Sequence, residues 1–370
     1  MYFKDVIGQL QAKNYLYKTY KTGYIPSALL FSGPSGYGGL PLSLAYARLL
    51  ICGCNTSAQL KMDKLQHPDL HFIFPTAYSS NYKEKKINML FSKWRDFLYH
   101  HPYGNIFNWL EYIDNKQAQI GIEESKKIIK ILHSKSYEGG YKVFILWLAD
   151  RLHVTAANKI LKVLEEIPKN NIFLFVGEED KNILPTIRSR MQIIHLKPLK
   201  NKEMQDILQS KYNLSEKQAS IISDRSEGNW GKAIEFLNNH NKFEEFFMIW
   251  IREVFIAFHK KKSLKYFIEF SEIIHTWGIK KQKIFLEYCI YIFRKALLTN
   301  YKIKDLAFNP LSSKNFNWTV FSSHLNVENI KKIIKEITKS SKDIKKNANA
   351  KIVFLDLSIH IMQYLHNIIL

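Results

Sequence analysis

The chain has 370 residues, 46% of them hydrophobic and 24% charged, which excludes a single small module and allows two or three domains at ~100 to 200 residues each. A formal net charge of +21 at pH 7 directs attention to a polyanion such as a nucleic-acid backbone, although 46 Lys against 8 Arg, amid abundant Ile, Asn, Tyr and Phe, is also what AT-rich codons write onto a surface. No apolar run reaches the ~18 residues that span a bilayer, the start Met1-Tyr-Phe-Lys-Asp lacks a signal-peptide layout, and Cys52, Cys54 and Cys289 are too few for a disulfide framework, so a cytoplasmic protein with reduced thiols and no membrane partner is expected.

In chain order, short apolar runs bounded by turn residues recur at Ala28 to Phe31, Leu70 to Phe74, Val143 to Leu148, Ile172 to Val176 and Ile193 to Leu196. They read as buried strands. Helical patterns separate them at about Leu40 to Leu50, Glu123 to Leu132 and Thr155 to Ile167. This alternation predicts an α/β fold with a five-stranded parallel sheet, covered on both faces, and a ligand crevice at the carboxyl ends of the strands. The third helix is the clearest, with Thr155 as its expected N-cap and Ile160, Leu161, Leu164 and Ile167 on one face. Its Glu165-Glu166 pair reads as solvated surface.

Between residues 78 and 119 the alternation lapses into a polar, aromatic stretch with Ser79-Ser80-Asn81 and His101-Pro102-Tyr103-Gly104, read as an insertion carrying one helix around Met89 to Leu98. Beyond Pro198 the strand signal ends. Residues 200 to 237 read as three short helices, with a Gly228-Asn229-Trp230-Gly231 turn, and from about Asn241 the chain is helical and amphipathic, as in Phe246-Phe247-Met248-Ile249-Trp250 and Ile352-Val353-Phe354-Leu355. The stretch Lys339 to Lys351 reads either as a solvated helix and turn or as a binding patch. The expected division is 1–198, 199–240 and 241–370.

The loop after the first strand reads Gly33-Pro34-Ser35-Gly36-Tyr37-Gly38-Gly39-Leu40. A phosphate-binding loop has the pattern G-x-x-x-x-G-K-[ST], with backbone N–H groups around the phosphates, a Lys on the β- and γ-phosphates and a hydroxyl on magnesium. Gly33 and Gly38 fit it, but Gly39 stands in place of the Lys and Leu40 in place of the hydroxyl. Conventional ATP hydrolysis is therefore excluded and no metal site is expected. The backbone donors of Ser35 to Gly39 and the positive end of the following helix leave a non-hydrolysed nucleotide open, with no cofactor required.

Three motifs read together carry a family resemblance. The opening Asp5-Val6-Ile7-Gly8-Gln9 is followed by Pro26-Ser27-Ala28-Leu29-Leu30-Phe31 and the Gly-Pro-Ser-Gly loop; Val143-Phe144-Ile145-Leu146 leads into Trp147-Leu148-Ala149-Asp150 and then Ala156-Ala157-Asn158-Lys159-Ile160-Leu161-Lys162-Val163-Leu164-Glu165-Glu166; and Leu184-Pro185-Thr186-Ile187-Arg188-Ser189-Arg190-Met191-Gln192 ends the series. In order and spacing these resemble the AAA+ clamp-loader family. The resemblance implies an AAA+ P-loop domain, a small helical lid and an all-α collar used for oligomerisation. It places Trp147 and Leu148 where active relatives carry the magnesium-orienting Asp and the water-activating Glu, so that Trp147, Leu148, Ala149 and Asp150 form a degenerate second motif. It also makes Ser189-Arg190 the counterpart of a Ser-Arg-Cys motif, with Met191 replacing the Cys and Arg190 projecting as an arginine finger into a neighbouring subunit's ATP site.

Loss of both ATPase motifs with the finger retained resembles the delta-prime type within that family. The implied partners are the ATPase subunits (gamma/tau), the delta subunit, the sliding clamp and primer–template DNA, within the DNA polymerase III holoenzyme. Many relatives carry a four-cysteine zinc module after the first helix. Here Cys52 and Cys54 stand without the other two, and His67 and His71 would complete a set only in an unusual geometry, so zinc is not expected. Val176-Gly177 lacks the Thr or Asn of a γ-phosphate sensor, and Gly231, beside Lys232, falls where a second sensor Arg would stand. Two other readings stay open, a DNA-binding AAA+-like protein without a clamp-loader role and a noncanonical AAA+ ATPase.

Overall fold

The computed structural model describes residues 1–53, 55–77, 84–115, 117–132, 134–138, 140–257, 264–303, 311 and 316–366. The chain forms two compact units, Met1–Glu235 and Phe236–Leu370. In the first, α1 (Leu10–Thr22) precedes β1 (Ala28–Ser32), α2 (Gly39–Cys52), α3 (Thr56–Asp63), β2 (Leu70–Ile73) and a short β3 (Thr76–Ala77). Then come α4 (Glu84–His100), α5 (Ile106–Tyr112), a short β4 (Ala118–Gln119), α6 (Ile122–Leu132), β5 (Lys142–Trp147), α7 (Val154–Glu165), β6 (Asn171–Gly177), α8 (Pro185–Arg188) and β7 (Gln192–His195). Helices α9 (Asn201–Tyr212) and α10 (Glu216–Ser226) follow, and the boundary between the units falls within α11 (Trp230–Ala257).

The main sheet runs β2-β5-β6-β1-β7 with every pair parallel, in register at Val143↔Ile172, Ala28↔Phe173 and Leu29↔Gln192. The expected five-stranded parallel sheet is present. Side chains alternate across it with the two-residue period of a strand. Leu29, Phe31, Val143, Ile145, Trp147, Leu174 and Val176 pack on the face covered by α1, α2 and α4. Leu30, Phe144, Leu146, Phe173 and Phe175 pack on the other, against Ile128 of α6 and Ile160 and Leu164 of α7. Because β1, β5 and β6 are buried on both faces, they read in sequence as continuous apolar runs.

Three expectations change in detail. The N-cap of α7 is His153, whose Nδ1 accepts from Thr155 N at 3.4 Å, rather than Thr155. The insertion holds two described helices, α4 and α5, with β3 and β4 pairing at its base (Thr76↔Gln119). Its Ser79-Ser80-Asn81 stretch lies outside the described residues. Finally, the third short helix expected before residue 237 is the start of the 28-residue α11, since no Gly or Pro stop separates Phe236 from Phe246.

The described elements of the second unit are all helices: the remainder of α11, α12 (Leu264–His275), α13 (Ile279–Asn300), α14 (Trp318–Ser323), α15 (Val327–Lys345) and α16 (Ala350–Leu365). Phe247 and Trp250 of α11 face Phe270, Phe285, Ile333 and Phe354 in one core. The Trp250 ring stacks on Phe270 at 5.1 Å, and its buried Nε1–H donates to Ser358 Oγ at 2.9 Å, which removes the cost of an unsatisfied indole. Asn side chains start three of the helices. Asn317 and Asn349 accept from Val320 N and Lys351 N, and Asn326 forms a reciprocal box with Asn329.

Candidate functional site

The glycine loop joins β1 to α2 at the carboxyl edge of the sheet. Gly33 N donates to Gly177 O of β6 at 3.0 Å, and Tyr37 N closes a turn onto Pro34 O at 3.0 Å. Gly36 and Gly38 have φ of +94° and +99°, a conformation open to glycine and strained for other residues. The outside of the loop is gripped by the start of α11. Asn229 Nδ2 donates to Ser35 O at 2.9 Å, Gly231 N donates to Gly36 O at 3.2 Å, and a Cβ at Gly231 would sit 2.7 Å from Gly36 Cα. Gln9 Nε2 ties Tyr37 O (3.0 Å) to Lys197 O (2.7 Å). Gly231, at the expected position of a second sensor, thus makes a backbone contact that no side chain could permit.

The inside of the loop is filled. A Cβ on Gly39 would lie 2.9 Å from Val176 Cγ1 and 3.1 Å from Leu196 Cδ1, so apolar side chains occupy the space a Lys stem would need. Leu40 is buried in the core below. Pro102, Tyr103 and Gly104, from the turn between α4 and α5, close the loop from the other side together with Trp147, Leu148 and Val176. The Tyr103 ring lies 3.3 Å from where a Gly38 Cβ would stand, and its hydroxyl accepts from Ile7 N at 2.7 Å. Burial pushes this phenol well above the usual tyrosine range. The cavity left over measures about 20 Å³, room for roughly one water.

Charge also opposes an anion here. Ser35 Oγ donates to the Glu178 carboxylate, which stands beside the loop. Glu178 N in turn donates to Asp150 Oδ1 at 3.2 Å, and burial pushes the Asp150 carboxyl up against the opposing pull of that hydrogen bond. With no Lys, no magnesium-binding hydroxyl, a carboxylate on the loop and space for one water, these residues do not fit a nucleotide. In this conformation the loop leaves no room for the non-hydrolysed nucleotide that its backbone donors would otherwise allow.

The second degenerate motif has become core. Trp147 is 2% exposed and lies 5.1 Å from the Trp94 ring and 5.7 Å from Phe97, both on α4. Trp109 of α5 completes the cluster and donates Nε1–H to Pro75 O at 2.7 Å. Leu148 is buried with φ 59° and ψ 56°, a left-handed conformation unfavourable for a side-chain-bearing residue. Ala149 packs on the opposite face of the sheet.

Arg190 follows the short α8 and is exposed. Nη1 donates to Thr186 O at 2.8 Å and Nη2 to Glu165 Oε1 at 3.1 Å, with the two side chains 37% and 47% exposed. Glu165, read in sequence as plain surface, is its partner. Ser189 Oγ donates to Thr186 O at 3.2 Å, and Arg188 pairs with Asp180 at 3.5 Å. Of the residues singled out for zinc, Cys52 is buried and Cys54 lies outside the described residues. His67 Nδ1 accepts from Asp69 N at 3.1 Å, and His71 stacks on Phe144 at 5.0 Å. Sequence reasoning missed Tyr103, Glu178, Leu196 and Asn229, which are spread over the chain and share no motif.

A parallel sheet with a glycine loop between strand and helix defines a P-loop-type nucleotide fold, here with its crevice filled. The chain belongs to the family described as DNA polymerase III, delta subunit, which matches residues 8–200. It is 24% identical over 290 residues to the DNA polymerase III subunit delta' of Bacillus subtilis, covering 76% of this chain and 75% of that protein. It is 38% identical over 88 residues to the delta' subunit of Yersinia pestis, 24% of this chain and 26% of that protein. Against the gamma/tau subunit of Mycobacterium tuberculosis it is 24% identical over 223 residues, 60% of this chain and 32% of that protein. Among solved structures it is similar to a DNA polymerase III gamma subunit-related protein of Thermotoga maritima, with a TM-score of 0.46, 13% identity and coverage of 94% and 99%. The clamp-loader resemblance read from the motifs is borne out by the family match, and no described helix is long and apolar enough to cross a membrane.

Proposed function

We propose that this chain is a non-hydrolysing, delta-prime-type subunit of a clamp-loader complex, which lends Arg190 to the ATP site of a neighbouring ATPase subunit during loading of a sliding clamp onto primed DNA. The observation that carries the reading is the contrast between its two half-sites. The chain's own loop is filled by Tyr103, Val176 and Leu196, whereas the guanidinium of Arg190 stands exposed. An exposed ion pair is worth ~0 to 1 kcal/mol, so Glu165 holds Arg190 in place without committing it. A guanidinium delivered in trans neutralises charge developing on the transferred phosphoryl group, worth ~10³ to 10⁵ in rate where it has been isolated.

The partners in this proposal are gamma/tau-type ATPase subunits, a delta subunit, the sliding clamp and primer–template DNA, with residues 1–198 as the AAA+ domain, 199–240 as the lid and 241–370 as the collar. The ATPase alternative is disfavoured by the missing Lys and hydroxyl and by the filled cavity. The test is ATP turnover of the reconstituted complex with the intact chain or its Arg190→Ala form. Turnover should fall about 10-fold or more at the site served while the complex still co-elutes on gel filtration. Unchanged turnover in an intact assembly would sink the proposal.

A further inference from the structure

Helix α15 sorts its side chains by chemistry into three faces. Ile330, Ile333, Ile337 and Ile344 are buried in the core of the second unit. Glu336 is half-buried on the flank toward α16, where its carboxylate lies within 4.8 Å of Asp356 and His360 ligand atoms and 3.2 Å from Lys339 Nζ. The remaining face is basic and exposed: Lys331, Lys332, Lys335, Lys342, Lys345 and the C-cap Lys346. Among the described residues none of these six ammonium groups forms an ion pair, and Lys332 lies 6.0 Å from the Tyr364 ring.

Helix stability accounts for only part of this arrangement. A solvated helix face gains from acids and Lys three or four residues apart, and Glu328 before Lys331 and Lys332 and Asp343 before Lys346 are so placed, but Lys331 with Lys335 and Lys342 with Lys346 set like charges at the same spacing. The helix dipole favours Lys342 and Lys345 in the last turn. Lys331, Lys332 and Lys335 lie beyond the first turn, where the dipole contributes little in either direction.

We propose that the lysine face of α15 binds the phosphodiester backbone of duplex DNA. From Lys331 to Lys346 the helix extends about 22 Å, which along a duplex axis covers about six base steps at ~3.4 Å each. The helix carries no aromatic residue, so it offers no stacking platform for unpaired bases. Its apolar face is buried in the core and is not available for insertion into a bilayer surface. This inference rests on the reading of the chain as a subunit that works at DNA but does not involve Arg190, so the two fail independently.

The experiment measures binding of a fluorescent duplex of about 20 base pairs by the full chain between about 50 and 200 mM salt. It compares K331Q/K335Q/K342Q/K346Q with a control of equal charge on other exposed lysines, K18Q/K64Q/K202Q/K217Q. Gln retains the helix propensity of Lys, and circular dichroism checks the fold; the K331Q/K335Q pair serves as a milder variant. In the α15 variant the slope of log K against log salt should shrink by about 3 to 4, and in the pair by about half that. The control should change it by less than about 1. Equal losses in the two sets, no duplex binding by the intact chain at about 50 mM salt, or a stronger dependence of single-strand or anionic-vesicle binding on the α15 lysines would overturn the proposal.

Discussion

At Gly39 the missing Lys is more than a lost charge, because Val176 and Leu196 already occupy the path of any side chain there. Gly39→Lys is therefore expected to lower stability by about 1 to 3 kcal/mol through overpacking, with no gain of nucleotide binding. Thermal melts with and without ATP would check both, and an ATP-dependent rise in midpoint would show that the loop opens. His71 offers a second test. Burial, aided by the nearby Lys142, pushes its imidazole down to about 4, so between its ordinary value near 6.5 and about 4 the unfolded chain takes up a proton that the folded chain refuses. Stability should fall as pH drops through that window, by on the order of 3 kcal/mol at most. His71→Phe, which keeps a ring against Phe144, should flatten this part of a denaturation-midpoint profile; an unchanged profile would assign it to other groups.

At the position that the clamp-loader resemblance assigns to a magnesium-holding Asp, the elements place a core side chain. The last residue of β5, where relatives are expected to hold magnesium through an Asp, instead supplies Trp147 to a cluster with Trp94, Phe97 and Trp109, and so anchors α4 and α5 onto the sheet. Those helices in turn bring Tyr103 over the glycine loop. Trp147→Asp should therefore fail to restore a metal site and should cost about 4 kcal/mol or more, from a large cavity and a buried carboxylate. Urea denaturation would measure this, and a midpoint within error of the intact chain would show that the cluster does not hold the insertion.

Across the whole molecule, what could be read from sequence was what neighbouring residues determine. The runs at Leu29, Val143 and Ile172 marked strands because those strands are buried on both faces, and Gly39 and Leu40 announced by identity alone a loop without the Lys and hydroxyl of the phosphate-binding pattern. Contacts between distant residues were not legible. Tyr103 lies 96 residues from the Ile7 N–H that its hydroxyl accepts from, Asn229 lies 194 residues from Ser35, and the polar, aromatic look of the 78–119 insertion concealed that its Trp94, Phe97 and Trp109 are core. The Glu165 partner of Arg190 was hidden for the same reason, since an exposed carboxylate on a helix carries no signal of what reaches it from 25 residues away.

These observations describe a molecule whose own nucleotide crevice is closed by packing while Arg190 stands exposed. Single-turnover ATP cleavage by the clamp-loader complex, assembled with the intact chain or with Arg190→Ala, separates nucleotide binding from the chemical step. The expected result is the same amount of bound ATP in both complexes, with cleavage slowed about 10-fold or more in one class of sites when Arg190 is absent. Cleavage at the same rate in every site of both complexes would contradict the trans-acting role.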